Sequence, residues 1–137
     1  MGSFSDFLEN EILDHVVGKG DYNMPTASVA LVISSVVDAD DGAAINECVS
    51  TYGYQRVVTA ASDWNAASGG SITNAGAITF PTASGGAYGT VVGFALCNTS
   101  VVLTGEVLLW GDLSTSKTVG DGDTVEFAAG DLTITLD

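Results

Sequence analysis

His15 is the only residue in this chain whose unperturbed pKa suits proton transfer at neutral pH. Any Ser-His-Asp or Cys-His chemistry would have to use it, and no G-x-S-x-G nucleophile elbow accompanies it. It lies one helical turn after Glu11 among other carboxylates, which reads as a solvated helix face. The 17 acidic residues offer many possible carboxylate pairs, but no local spacing singles one out for acid–base hydrolysis. The expectation is that the chain is not an enzyme and carries no catalytic residue.

Metal and phosphate chemistry fare no better. Asp38-Ala39-Asp40-Asp41-Gly42 clusters hard oxygen ligands as a calcium loop does. With Asp38 as the first position, however, the fifth is Gly42, and Glu47 arrives two residues early for the bidentate role. Asp121-Gly122-Asp123 with Glu126 is similarly incomplete, so both read as acidic solvated turns. Two cysteines and one histidine do not make a zinc site. Ser68-Gly69-Gly70-Ser71 and Ser84-Gly85-Gly86 lack the lysine and the strand-to-helix setting of a phosphate loop. Asn98-Thr99-Ser100 matches the glycosylation triplet by chance. No cofactor is expected.

The bulk chemistry excludes whole classes of partner. Three Lys and Arg against 17 acids give a formal charge of −14 over 137 residues. So few cations cannot displace counterions from nucleic acid, nor hold an anionic membrane surface. Neither nucleic acid nor membrane is an expected partner. A hydrophobic fraction of 46% is too high for a disordered acidic chain. A chain of this length buries roughly two-thirds of its unfolded surface, enough for one stable domain. Cys97, in the apolar run Phe94-Ala95-Leu96, reads as a buried free thiol, although pairing with Cys48 stays open.

No segment approaches the roughly 18 apolar residues of a membrane helix. The N-terminal residues show no signal-peptide pattern, and Asp6 occupies the position where myristoylation wants Ser or Thr. Synthesis and folding in a reducing cytoplasm is the expectation.

The elements that must position any functional surface follow from periodicity. Phe4, Leu8, Ile12 and Val16 recur every four residues, and Phe7, Leu13 and Val17 widen the stripe. Ser3 or Ser5 can cap this helix, Asp6 and Glu9 suit its positive first turn, and Gly18 and Gly20 end it. Strands are expected at Val29–Val37, Arg56–Ala61, Ile72–Phe80, Thr90–Asn98, Val101–Leu113 (broken at Gly105), Thr124–Phe127 and Leu132–Leu136. The spacing predicts a mainly β protein, an antiparallel β-sandwich or barrel of about seven strands preceded by one N-terminal amphipathic α-helix. Residues 1–20 form the helix and linker, and 21–137 the β-sandwich body, one domain overall. The helix either covers its own sandwich or docks on a neighbour, and Phe4, Phe7, Leu8 and Ile12 are the candidate docking residues. Trp64, Trp110, Tyr52, Tyr54 and Tyr88 are candidates for a sugar-stacking platform.

Several ordered segments carry a resemblance. Phe4-Ser5-Asp6-Phe7-Leu8-Glu9-Asn10-Glu11-Ile12-Leu13-Asp14-His15-Val16 is followed by the step Tyr22-Asn23-Met24-Pro25 into an apolar strand. Tyr54-Gln55-Arg56-Val57, Trp64-Asn65-Ala66-Ala67-Ser68-Gly69-Gly70 and Asn74-Ala75-Gly76-Ala77-Ile78-Thr79-Phe80-Pro81-Thr82-Ala83 come next. Tyr88-Gly89-Thr90-Val91-Val92-Gly93-Phe94, Leu109-Trp110-Gly111 and Ala128-Ala129-Gly130-Asp131-Leu132-Thr133-Ile134-Thr135-Leu136 complete the series. The series resembles a family of small virion structural proteins of tailed double-stranded DNA bacteriophages, described as capsid-associated or tail-fibre-like. The chain departs from that pattern near Val36 to Glu47 and Ser100 to Glu106.

The resemblance implies a virion structural protein. With the acidic charge, repelled by packaged DNA, it leads to the expectation of a capsid decoration (cement) protein on the outer surface of the head. Its partners would be the major capsid protein and copies of itself in a homo-oligomer. The alternatives are a tail or fibre-tip component and a virion-displayed carbohydrate-binding module.

Overall fold

The computed structural model describes residues 2–23 and 25–136. Met1, Asp137 and Met24 of the Tyr-x-x-Pro step lie outside the described residues. The chain runs β1 (Gly2–Phe4), α1 (Asp6–Val16), β2 (Ser28–Val32), β3 (Val57–Val58), β4 (Ser71–Thr73), β5 (Ile78–Thr79), β6 (Gly89–Cys97), β7 (Val107–Val119), β8 (Glu126–Phe127) and β9 (Thr133–Thr135). Short 3-10 turns at Ser50–Tyr52 and Ala61–Asp63 flank β3. The protein is mainly β with one N-terminal helix, as the patterning predicts. Its strands form an open arrangement, not a closed barrel.

A five-stranded sheet in the order β1-β7-β6-β2-β3 is antiparallel throughout. Two-stranded ribbons, β4-β9 and β5-β8, complete the β structure. Alternation along β2 divides its side chains between two cores. Val29 and Leu31 join Phe94, Leu96 and Leu109, packed with Phe80, Phe127, Leu132 and Ile134 from the ribbon segments. Ala30 and Val32 join Ala95, Cys97 and Val107 on the other face, covered by Val36 and Ile45. A strand buried on both faces needs an apolar residue at nearly every position, which explains the unbroken run that begins at Val29.

That run nevertheless leaves the sheet at Val32. Ile33 donates its amide to the Asn46 carbonyl at 2.8 Å, and Val36 folds over as a lid on the second core. The expected strand at 72–80 is divided because Asn74 is pulled into the interior between β4 and β5. The expected strand from Val101 begins only at Val107, since Leu103 and Gly105 both adopt positive φ. β1 has no apolar alternation to announce it. It pairs with β7 through Gly2–Gly111, Ser3–Trp110 and Phe4–Leu109. Between β6 and β7 the register jumps. Leu113, Ser114, Thr115 and Ser116 stand opposite Val92 alone, which pushes that stretch outward as a wide bulge.

Ser5 is the helix cap, accepting from the Leu8 amide at 3.3 Å. Its hydroxyl also donates to the Val107 carbonyl, tying the cap to β7. At the far end Gly18, at φ 75°, closes a Schellman turn. Its amide donates to the His15 carbonyl at 3.1 Å, and the Lys19 amide to the Asp14 carbonyl at 2.9 Å. The α1 helix spans 11 residues, and no described helix is long and apolar enough to cross a membrane.

Asn74 is the polar joint of the ribbons. Fully buried, it donates from Nδ2 to the Gly76 and Ala128 carbonyls, each at 2.8 Å, and accepts at Oδ1 from the Leu132 amide at 2.9 Å. Asn74→Ala leaves those groups unpaired and is expected to cost about 2–4 kcal/mol. Urea denaturation measures this, and a loss below about 0.5 kcal/mol would show that the joint is dispensable.

Candidate functional site

The stripe read as one broad face of α1 is two faces in the structure. Leu8 turns inward and is buried, while Phe7, Glu11 and Ile12 are half-buried. Phe4 belongs to β1, not to the helix, and packs against the first core. Of the four candidate docking residues, Leu8 is thus occupied by the protein's own sheet, and Phe4, Phe7 and Ile12 flank that contact. Leu13, Val16 and Val17 point away, with 63%, 74% and 68% of their surfaces exposed. At about 100° per residue, this second face lies roughly 160° from the first. Sequence periodicity does not separate the two, because apolar residues stand on both.

Asp6 and Glu9 continue the outward face toward the N-terminus, and Asp14 lies on its flank, paired with Lys19 at 3.6 Å. His15 is exposed and accepts from the Tyr22 amide at 3.3 Å. It takes part in turning the chain back along the helix.

The strongest electrostatic feature was not marked by any motif. Arg56, the only arginine, and Glu47 form a fully buried pair. Nε donates to Oε1 at 2.7 Å and Nη2 to Oε2 at 2.9 Å, a bidentate fork. The remaining donors reach the Thr99 and Thr104 carbonyls, each at 3.0 Å, and the Gly42 carbonyl at 3.3 Å. Glu47 also accepts from the Leu103 amide at 2.7 Å and from the Tyr54 hydroxyl at 3.1 Å. That hydroxyl accepts in turn from the Leu31 amide at 2.9 Å.

Burial works most strongly against the Arg56 charge, but the hydrogen bonds to Glu47 and the nearby Cys97, Glu47 and Tyr54 together outweigh it and hold the guanidinium above its ordinary pKa. Burial, then Glu47, drives the Tyr54 phenol well upward. A Cβ on Gly42 would collide with the Thr104 carbonyl, so only glycine permits the loop contact sealed by the Gly42 amide on the Gly105 carbonyl at 2.7 Å. The loops around Gly42 and around Thr104 therefore meet at this clamp. One signal for it was present in the sequence. Extended alternation from Tyr54 places Arg56 on the same inward side.

The acidic turns use their carboxylates locally. Asp40 accepts from the Val37 amide, Asp41 from those of Ala43 and Ala44, and Asp63 from that of Ala60. Asp121, Asp123 and Asp131 accept in the same way from the Gly85, Gly120 and Ala128 amides. Among the described residues, no three His, Cys, Asp or Glu side chains gather as a metal site.

The five aromatics do not assemble a platform. Tyr54 and Tyr88 are buried and meet edge to face at 5.6 Å. Trp64 donates to the Thr59 hydroxyl at 3.2 Å, and Trp110 to Asp38 at 3.2 Å in another part of the fold. A cleft of about 530 Å³ lies between the β7 bulge and β9, with Asp112, Lys117, Asp131 and Thr133 over Phe94 and Phe127.

Residues 3–135 match the profile of the family described as Podophage GP4 fiber I protein gp80. The chain belongs to that family. No curated protein matches it. The match runs from β1 through β9 and so covers every strand and the helix. As a member of the fiber I family the protein is a bacteriophage virion structural protein, which agrees with the resemblance read from its motifs.

Cys48 and Cys97 are free and buried in different cores. Burial pushes each thiol up to about 12. In the unfolded chain these thiols ionise near pH 9 while the native state keeps its protons. The thiols' contribution to stability is therefore expected to be level below pH 9 and to fall as pH rises from about 9 toward 12, which denaturation at a series of alkaline pH values measures. Neither thiol should react with a disulfide reagent at pH 8 until denaturant is added, and rapid labelling of the native protein would contradict their burial.

Removing one side of the clamp strands the other, so Arg56→Met is expected to destabilise by about 3–5 kcal/mol. Replacing both partners with apolar residues should cost less than the sum of the single replacements. Additive losses in a double-mutant cycle would show that the pair is not coupled.

Proposed function

We propose that this protein is a fibre component of the phage tail apparatus, held on the particle by protein–protein contacts. The observation that carries the reading is the family match over residues 3–135, whose description names a fibre protein. The chemistry fits it. The chain offers a folded β body with one N-terminal helix, and six of its aspartates are engaged in turns and loops. A fibre shaft would show a repeated period or heptads, and this chain has neither. Its place is therefore a globular module at a joint or tip.

The charge of −14 favours a second reading, capsid decoration on the outer surface of the head. There the contacts would be to the major capsid protein and to further copies of the chain, and added buried interface would stabilise the shell. The carbohydrate-module reading has lost its platform, since Tyr54 and Tyr88 lie in the core.

Copy number separates the two. Quantitative mass spectrometry of purified particles is expected to find roughly a few dozen copies or fewer, as the symmetry of a tail ring allows. A count in the hundreds, comparable with the major capsid protein, would transfer the protein to the head surface.

A further inference from the structure

We propose that the outward face of α1, formed by Leu13, Val16 and Val17, is the attachment face. Its occupant is a different virion protein that offers an apolar groove rimmed by lysine or arginine. The inference rests on the reading of the chain as a virion structural protein and names the chemistry of its partner.

Isolated exposed apolar residues are ordinary on protein surfaces. Here three share one helix face at i, i+3 and i+4 spacing, the pattern by which a helix seats in a groove. Their exposures are 63%, 74% and 68%. The opposite face already has its own partner. Leu8 is buried against the protein, and the helix packs on β7 and β1. The outward face is therefore not a remnant of the domain's own core.

The helix is also held ready. Ser5 caps it onto β7 and the Gly18 turn closes it. Docking then requires little ordering of the chain, which favours affinity.

Charge selects the occupant. Asp6 and Glu9 extend the same side toward the N-terminus, Asp14 lies on the flank, and Asp21 follows the Gly18 turn, all exposed. A groove that covers the apolar residues must meet these carboxylates, and lysine or arginine on its rim makes that contact favourable. A second copy supplies the opposite. It brings the same carboxylates to the same place, on a chain whose formal charge is −14. Three residues meeting their own equivalents would also contribute only a small part of the roughly 1,200–2,000 Å² that a stable interface buries.

The test uses whole particles that carry the full-length chain. Val17 is replaced by a photo-crosslinking phenylalanine analogue, the particles are purified and irradiated, and the joined peptides are sequenced. The expected product links Val17's position to a different virion protein, at an apolar segment bordered by lysine or arginine. A link to another copy of this chain, or no link although the protein is present, overturns the proposal.

In parallel, Leu13→Asp with Val16→Asp is expected to reduce incorporation by about tenfold or more, the scale of losing anchor residues, with an unchanged circular dichroism spectrum. If that variant is not folded, Asp6→Asn with Glu9→Gln serves instead, and its binding should lose salt sensitivity. Incorporation at the wild-type level by a folded variant sinks the attachment face alone. Absence of the wild-type protein from particles would instead sink the virion-structural reading beneath it.

Discussion

Much of this structure depends on one buried ion pair. Arg56 and Glu47 have surrendered their hydration, and each is compensated by a full set of partners. The pair takes hold of the backbone of two long loops, at Gly42 on one side and at Thr99, Leu103 and Thr104 on the other. The first loop carries Val36 and Ile45, which cover the second core. It also carries Asp38, whose carbonyl accepts from the Asp6 amide at 2.9 Å and whose carboxylate accepts from Trp110 at 3.2 Å. The first turn of α1 thus rests on a loop that the clamp fixes. A physical path leads from a charge pair in the interior to the base of the projecting helix.

The negative charge has a local purpose besides its long-range one. Asp40, Asp41, Asp63, Asp121, Asp123 and Asp131 each accept a backbone amide within a turn or between neighbouring loops. Short strands need many turns, and aspartate satisfies turn amides that the ladders leave unpaired. With few cations to offset them, the acids accumulate into a large net charge. That charge keeps the protein soluble and sets the sign of any surface that can approach it.

The sequence disclosed the helix, its Ser5 cap, its Gly18 terminus, the long strand β6 and the strand β9, because each has a local cause. It did not disclose β1, whose three residues are ordered only by pairing with β7. It merged β4 and β5, because the inward turn of Asn74 is decided by carbonyls far along the chain. The clamp was equally hidden. Arg56 reaches Thr99 and Thr104 more than forty positions away, and nothing in the spacing of Glu47 and Arg56 marks a bidentate pair. The two faces of α1 were merged for a simpler reason. Apolar residues stand on both faces of this short helix, and Asp6 and Glu9 share the outward one, so periodicity finds no purely polar side from which to measure.

The central claim is that the clamp fixes both loops and, through them, the base of α1. Hydrogen-exchange mass spectrometry of Arg56→Lys addresses it directly, because lysine keeps the charge and loses the fork. The predicted result is a joint loss of protection in residues 33–46, in residues 98–106 and in the first turn of α1, with the β4-β9 and β5-β8 ribbons still protected. Unchanged protection in the first turn of α1 while both loops open would contradict it.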